Sequence, residues 1–154
     1  MNKPSEDAPG APRFEHASPD FYLRELVTIV NKTGLTFPIT LWVGGSVVSG
    51  YLIGGADYFE ELGSSLETFF ASAKVDDPMS IANSLVEPYR KHYEDIPDED
   101  PPPTYIHLRN ARVFAPGQNP MPSVGTIWRG RLSRVDGFSF GNLVPDAERR
   151  REPE

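Results

Sequence analysis

Residues 39–55 read ITLWVGGSVVSGYLIGG. Together with Phe37 just upstream, Ile39, Leu41 and Val43 alternate with Thr40 and Trp42, the period of a strand that buries one face. Gly44-Gly45 then fits a two-residue hairpin turn, because both central positions of a type I′ turn need positive φ. Val48 and Leu52 carry the return strand. Gly50, inside that strand, has no side chain to pack and weakens it unless the sheet bends or another element comes close. A strongly curved antiparallel sheet is therefore expected.

Upstream, Ser18-Pro19-Asp20 reads as a helix start, with Ser18 as N-cap and Pro19 at the first helical position. Tyr22, Leu23, Leu26, Val27 and Val30 form one apolar stripe, and Gly34 fits the C-terminal cap. Downstream, Asp57 and Glu60 form a capping-box-like pair opening a helix that carries Tyr58, Phe59, Leu62, Leu66, Phe69, Phe70 and Ala73. Asp77-Pro78 starts a second helix, with Met79, Ala82, Leu85, Val86, Tyr89 and Tyr93 as its stripe, which Pro88 should bend or end early. EDIPDEDPPP (94–103) reads as an extended acidic linker stiffened by its proline triplet. TYIHLRNARVF (104–114) is a strand with a kink near Asn110-Ala111, and 115–125 is a Pro-rich loop. Asp136-Gly137 is a hairpin signal between Trp128–Val135 and Phe138–Leu143.

The expected fold is thus α+β: a small, strongly curved antiparallel sheet or Sm-like barrel with an N-terminal helix and a helical insertion. Residues 18–144 make the single domain, with 57–93 as the insertion and 94–103 as the linker. A disordered tail (1–17) precedes it and a charged tail (145–154) follows it.

The chain holds 154 residues, 16 of them Pro, with 38% apolar side chains and no Cys. That composition suits one globular domain and excludes disulfide scaffolds and thiol chemistry. No apolar run is long enough for a membrane span, and the N-terminus lacks the apolar core of a signal peptide, so a cytoplasmic, non-membrane protein is expected. The net charge of -7 is uneven. Residues 55–103 carry three Lys/Arg against twelve Asp/Glu, whereas 104–134 carry five Arg and no acid. The two stretches either neutralise each other, within or between subunits, or the arginines (Arg109, Arg112, Arg129, Arg131, Arg134) form a surface for an acidic partner. Overall acidity makes strong non-specific nucleic-acid binding unexpected.

Chemistry is sparse. His16, His92 and His107 lack metal-ligand spacing, and His107 beside Arg109 reads as part of a solvated sheet face. The Gly-Gly pairs lack the Lys-Ser/Thr of a phosphate loop, and Ser46 and Ser49 have no base in view. Glu60-Glu61 and Asp76-Asp77 fit capping and solvation, since adjacent helical residues do not face each other. No nucleophile, base and orienter converge, so neither an enzyme nor a cofactor is expected. Seven of the 17 aromatic residues fall in 51–93. Phe69, Phe70, Tyr89 and Tyr93 are the candidates for a surplus apolar surface that would serve docking or self-association.

Two resemblances follow. The hairpin resembles the first half of an Sm-like fold at Ile39, Leu41, Gly44, Gly45, Val48, Gly50, Leu52, Asp57 and Phe59, and WRGRLSRV (128–135) with Arg129-Gly130 resembles its second half. That likeness implies an RNA-binding module as an alternative function. A likeness covering most of 20–144 is to the bacterial gas vesicle accessory protein U (GvpU) family. ITLWVGGSVVSG, ADYFEEL, YIHLRNARVF, Pro120, Pro122 and WRGRLSRVDGFSFGNL carry it. It implies a non-enzymatic protein of the cytoplasm or the gas vesicle surface. Such a protein acts by protein–protein interaction in vesicle assembly or clustering. Its implied partners are gas vesicle or other vesicle-associated proteins, and homo-oligomerisation is expected.

Overall fold

The structure is a computed structural model that describes residues 19–145. Both predicted tails, and Ser18 with them, lie outside the described residues apart from Pro145. Helix α1 (Phe21–Thr33) opens the fold and is followed by strands β1 (Phe37–Val43) and β2 (Ser46–Ile53). Helices α2 (Gly55–Ser72) and α3 (Pro78–Glu94) come next, then strands β3 (Tyr105–Phe114) and β4 (Met121–Arg131). A short 3-10 turn (Leu132–Arg134) leads to β5 (Gly137–Phe140). The five strands form one sheet in the order β4-β3-β2-β1-β5, every neighbouring pair antiparallel. The class is α+β, as expected.

The sheet is not closed, so the barrel alternative is corrected. Asp136-Gly137 does not join two paired strands. Instead the chain leaves β4 through the 3-10 turn and lands on the far side of the sheet, where β5 pairs with β1. Asp136 fixes that landing: its N–H donates to the Trp42 carbonyl (2.8 Å), and its carboxylate accepts from the Gly44 N–H (2.9 Å). With only four residues, β5 covers part of β1 and leaves β4 at the opposite edge.

The Gly44-Gly45 turn forms as read, with φ of 54° and 81°. Ile39, Leu41, Val48 and Leu52 then share the face that packs on Leu23, Val27 and Val30 of α1, with Ile106, Leu108 and Leu132 completing the core. Gly50 lies in that sheet because β3 crowds it. A Cβ there would stand 2.7 Å from the Arg109 carbonyl oxygen and 3.0 Å from Ala111 Cα. The crowding comes from a bulge in β3 at Asn110, whose φ is +50°, a conformation that Asn tolerates better than most residues.

On the opposite face two buried hydroxyls are fully used. Ser49 and Thr40 hydrogen-bond each other (2.9 Å), Thr40 donates to the Gly141 carbonyl (2.8 Å), and Ser49 accepts from the Leu143 N–H (2.7 Å). The segment after β5 is thus tied across the sheet.

Several helix boundaries differ from the sequence reading. Asp20 caps α1, accepting from the Leu23 N–H at 2.9 Å, and Gly34 is the left-handed C-cap as expected. Asp57 sits in the first turn of α2 and Gly54 occupies the cap position, where Asn31 of α1 supplies a side-chain acceptor to the Gly55 N–H (3.0 Å). Asp77 caps α3 with Pro78 behind it, as read. However, α3 runs through Pro88 to Glu94. Packing of Tyr89 and Tyr93 on Phe59 holds the turn beyond the proline. Arg90, bridging Glu87 and Glu94 at 2.9 Å each, braces it further. The predicted loop 115–125 is shorter, since β4 already begins at Met121.

Candidate functional site

Strand register decides where the arginines go. Tyr51 pairs with Arg109 and Ser49 with Arg112, so the bulge at Asn110 does bring both onto one face, the face that α2 packs against. His107 pairs with Arg129 and Tyr105 with Arg131, which puts those four residues on the same face. The acidic stretch neutralises them only in part, and through α2 rather than through the 94–103 linker. Arg109 is ion-paired with Glu61 of α2. Arg112 is buried and donates to the Ser123 carbonyl at 3.2 Å. Arg131 and Arg134 are exposed, the latter on the 3-10 turn. The acidic linker instead pairs with Lys32 (Asp98, 3.3 Å) and approaches His92 (Asp100, 3.7 Å). Three of the five arginines therefore have internal partners, and the stretch does not offer the unbroken cationic strip that RNA phosphates require.

His107 is the second correction: it is fully buried rather than on a solvated face. Tyr58, Phe59 and Tyr93 surround it, with ring centroids 4.7, 6.2 and 5.5 Å away. Arg129 Nη1 donates to its Nε2 at 3.0 Å. Arginine only donates, so Nε2 holds the lone pair and the proton sits on Nδ1. Burial, and then the positive charge of Arg129, push its pKa down to about 3. The ring stays neutral at physiological pH. Nothing in the sequence marked this burial. The alternation of Ile106, Leu108 and their neighbours placed His107 on the polar side of a strand, and only the α2–α3 hairpin turns that side into a second core.

Arg129 itself stands over the Tyr105 ring, Cζ to centroid 3.8 Å, with the Phe59 centroid 5.4 Å away. It forms part of the wall of a cleft of about 500 Å³ between α1, the C-terminal half of α3 and the acidic, Pro-rich linker. Tyr89, Tyr93, Ile96 and Pro103 give the cleft apolar walls, and Lys32, Asp98 and Asp100 lie along it.

The aromatic candidates separate into two groups. Tyr93 is half-buried on Phe59 and His107, and Phe70 is half-buried. Phe69 and Tyr89 are 62% and 57% exposed. The antiparallel packing of the two helices is set by Gly63 against Val86 and by Phe59 against Tyr89 and Tyr93. That register brings Phe69 level with the first turns of α3. There Met79, Ile81 and Leu85 are exposed as well. The sequence stripe contained Met79 and Leu85 without separating its buried members from its exposed ones. Periodicity shows which residues share a face, not whether a partner covers it.

Among the described residues, no group of His, Asp and Glu side chains is arranged to hold a metal ion, and no helix is long and apolar enough to cross a membrane. The model of the family described as "Gas vesicle protein GvpU-like" matches residues 20–143, from the cap of α1 to just past β5. The chain belongs to the GvpU-like family. The match spans both the sheet and the α2–α3 hairpin, so the hairpin is part of the family's unit. No curated protein and no solved structure matches the chain.

Proposed function

We propose that this GvpU-like protein is a non-enzymatic accessory protein that acts at the gas vesicle surface by protein–protein contact, in vesicle assembly or clustering. The observation that carries this reading is the set of large apolar side chains that the α2–α3 hairpin leaves exposed, called here the docking row. Phe69, Met79 and Leu85 are each more than half exposed. Large side chains in such a row have little reason to face water unless a partner covers them. Within a gas vesicle family, the partner of matching chemistry is the vesicle's own protein surface. The arginines are less suited to the role because Arg109, Arg112 and Arg129 are engaged internally.

The test is vesicle clustering. Purified protein added to purified gas vesicles raises turbidity and gives clusters under the microscope. The effect persists when salt is raised to ~0.5 M, because apolar contact is not screened as exposed ion pairs are. Absence of clustering and of any effect on vesicle assembly contradicts the function. Loss of clustering in salt contradicts the apolar row and points back to Arg131 and Arg134.

Clustering needs at least two docking surfaces per particle, and the sheet supplies a route to them. Among the described residues β4 and β5 end the sheet with no further strand beside them, and exposed edges recruit a further strand unless something covers them. A second copy of the chain pairs there. Light scattering at ~100 µM should give a dimer or a larger closed oligomer, on the concentration scale of weak specific association. A strict monomer contradicts this part of the reading.

A further inference from the structure

We propose that the cleft between α1, α3 and the 95–104 segment binds a carboxylate carried on an aromatic or apolar body, with the Arg129 guanidinium as its anchor. Among the described residues, Arg129 has one hydrogen-bond partner, His107, and no carboxylate partner. The other cation of the cleft, Lys32, is already paired with Asp98. Arg129 is nevertheless held in place: Tyr105 lies 3.8 Å beneath it and His107 fixes Nη1. Among the described residues the remaining N–H groups of the guanidinium fork have no acceptor, and the residue lines the cleft. A fixed fork with free donors suits a planar, bidentate acceptor, and the ordering cost is already met by the fold.

The walls determine what accompanies the charge. Tyr93, Tyr105, Ile96 and Pro103 offer apolar surface, and about 500 Å³ is within the usual range for a small-ligand site. Asp98 and Asp100 lie along the same cleft. With Asp98 paired to Lys32, Asp100 is the charge that disfavours the additional negative charge of a phosphate, which favours a monocarboxylate. Burial of the Tyr58 hydroxyl raises its pKa, and the Arg129 charge partly opposes this. A carboxylate of this kind comes either from a free small molecule or from the C-terminus of a peptide. Neither Phe69 nor Leu85 lines the cleft, so this site and the docking row stand or fall separately.

The experiment is a titration of the isotope-labelled full chain, followed by NMR. The probes are 3-phenylpropionate, its neutral amide, inorganic phosphate, and a tetrapeptide ending in Phe with a free or an amidated C-terminus. The acid should shift the signals of Tyr93, Tyr105 and Arg129. The amide and phosphate should bind at least about tenfold more weakly, and Arg129→Gln should weaken the acid by the same factor. Arg129→Lys keeps the charge but loses the fork, and should also weaken binding. Tighter binding of the free-carboxyl peptide than of phenylpropionate identifies a peptide source; the reverse order identifies a small molecule. Either order supports the site. Equal binding of acid and amide overturns the proposal, as does phosphate binding as tightly as the acid, or no shift at ~10 mM acid. Should Arg129→Gln fail to fold, the acid–amide comparison on the unaltered protein still decides.

Discussion

Gly50→Ala lowers the melting temperature by about 10 °C. A single methyl group there meets backbone, the Arg109 carbonyl at 2.7 Å and Ala111 Cα at 3.0 Å. No rotamer change can relieve such a contact, so β2 and β3 must separate locally. Two opposing effects have to be weighed. Replacing glycine in a strand recovers roughly 0.5–1 kcal/mol of backbone entropy. Overpacking in a fitted interior costs about 1–3 kcal/mol, and more when backbone has to move. The second effect wins by ~2–3 kcal/mol, which for a domain of this size is about 10 °C. Gly137→Ala is the control. It lies in β5, a Cβ there meets nothing within 4 Å, and its φ is ordinary. The control should melt at the parent's temperature or a few degrees above it, since the entropy gain meets no clash. Equal melting of Gly50→Ala and the parent, followed by circular dichroism, contradicts the close approach of β3.

Acid should weaken the fold well before its carboxylates titrate. In the unfolded chain His107 takes up its proton near pH 6.5, whereas in the fold its pKa is about 3. Between those values the unfolded state binds the proton and the folded state does not, so stability falls as pH falls. The contribution is fully present above pH 6.5. About 2 kcal/mol of it is lost between pH 8 and pH 5. Urea unfolding at the two pH values measures this directly. His107→Gln keeps an acceptor for Arg129 but does not titrate, so its stability should be nearly flat over that window. A flat profile for the parent protein, or an unchanged slope in His107→Gln, contradicts a buried, neutral His107.

The hairpin was legible because alternation and a Gly-Gly turn are local. The caps at Gly34 and Asp77 were legible for the same reason: each needs only a few adjacent residues. The kink at Asn110-Ala111 could be placed because Arg109 and Arg112, three apart, share a face only if one residue is extra. What the sequence hid depends on distant contacts. His107 alternates like a surface residue and becomes core only because α2 and α3 cover it. Gly50 suggested a bend, while the atoms that demand glycine belong to β3, some sixty residues later. Asp136-Gly137 has hairpin chemistry, yet β5 finds β1 rather than β4. The acidic linker and the arginines have complementary charge, but reach and register gave Arg109 to Glu61 and left the linker to Lys32. The candidate site was half visible for a related reason. Phe69 and Tyr89 belonged to a surplus of aromatic residues, whereas the exposure of Met79, Ile81 and Leu85 shows only once the two helices have packed.

Gas vesicles float on centrifugation, which gives the docking row its most direct measurement. The protein is mixed with purified vesicles, spun, and quantified in the floating layer, alongside a Phe69→Ser/Leu85→Ser double variant. Both side chains are more than half exposed, so the variant should keep the parent's circular dichroism and melting temperature. The parent protein should rise with the vesicles, while the folded double variant stays in the liquid below. A folded double variant that rises as fully as the parent contradicts docking through the α2–α3 row.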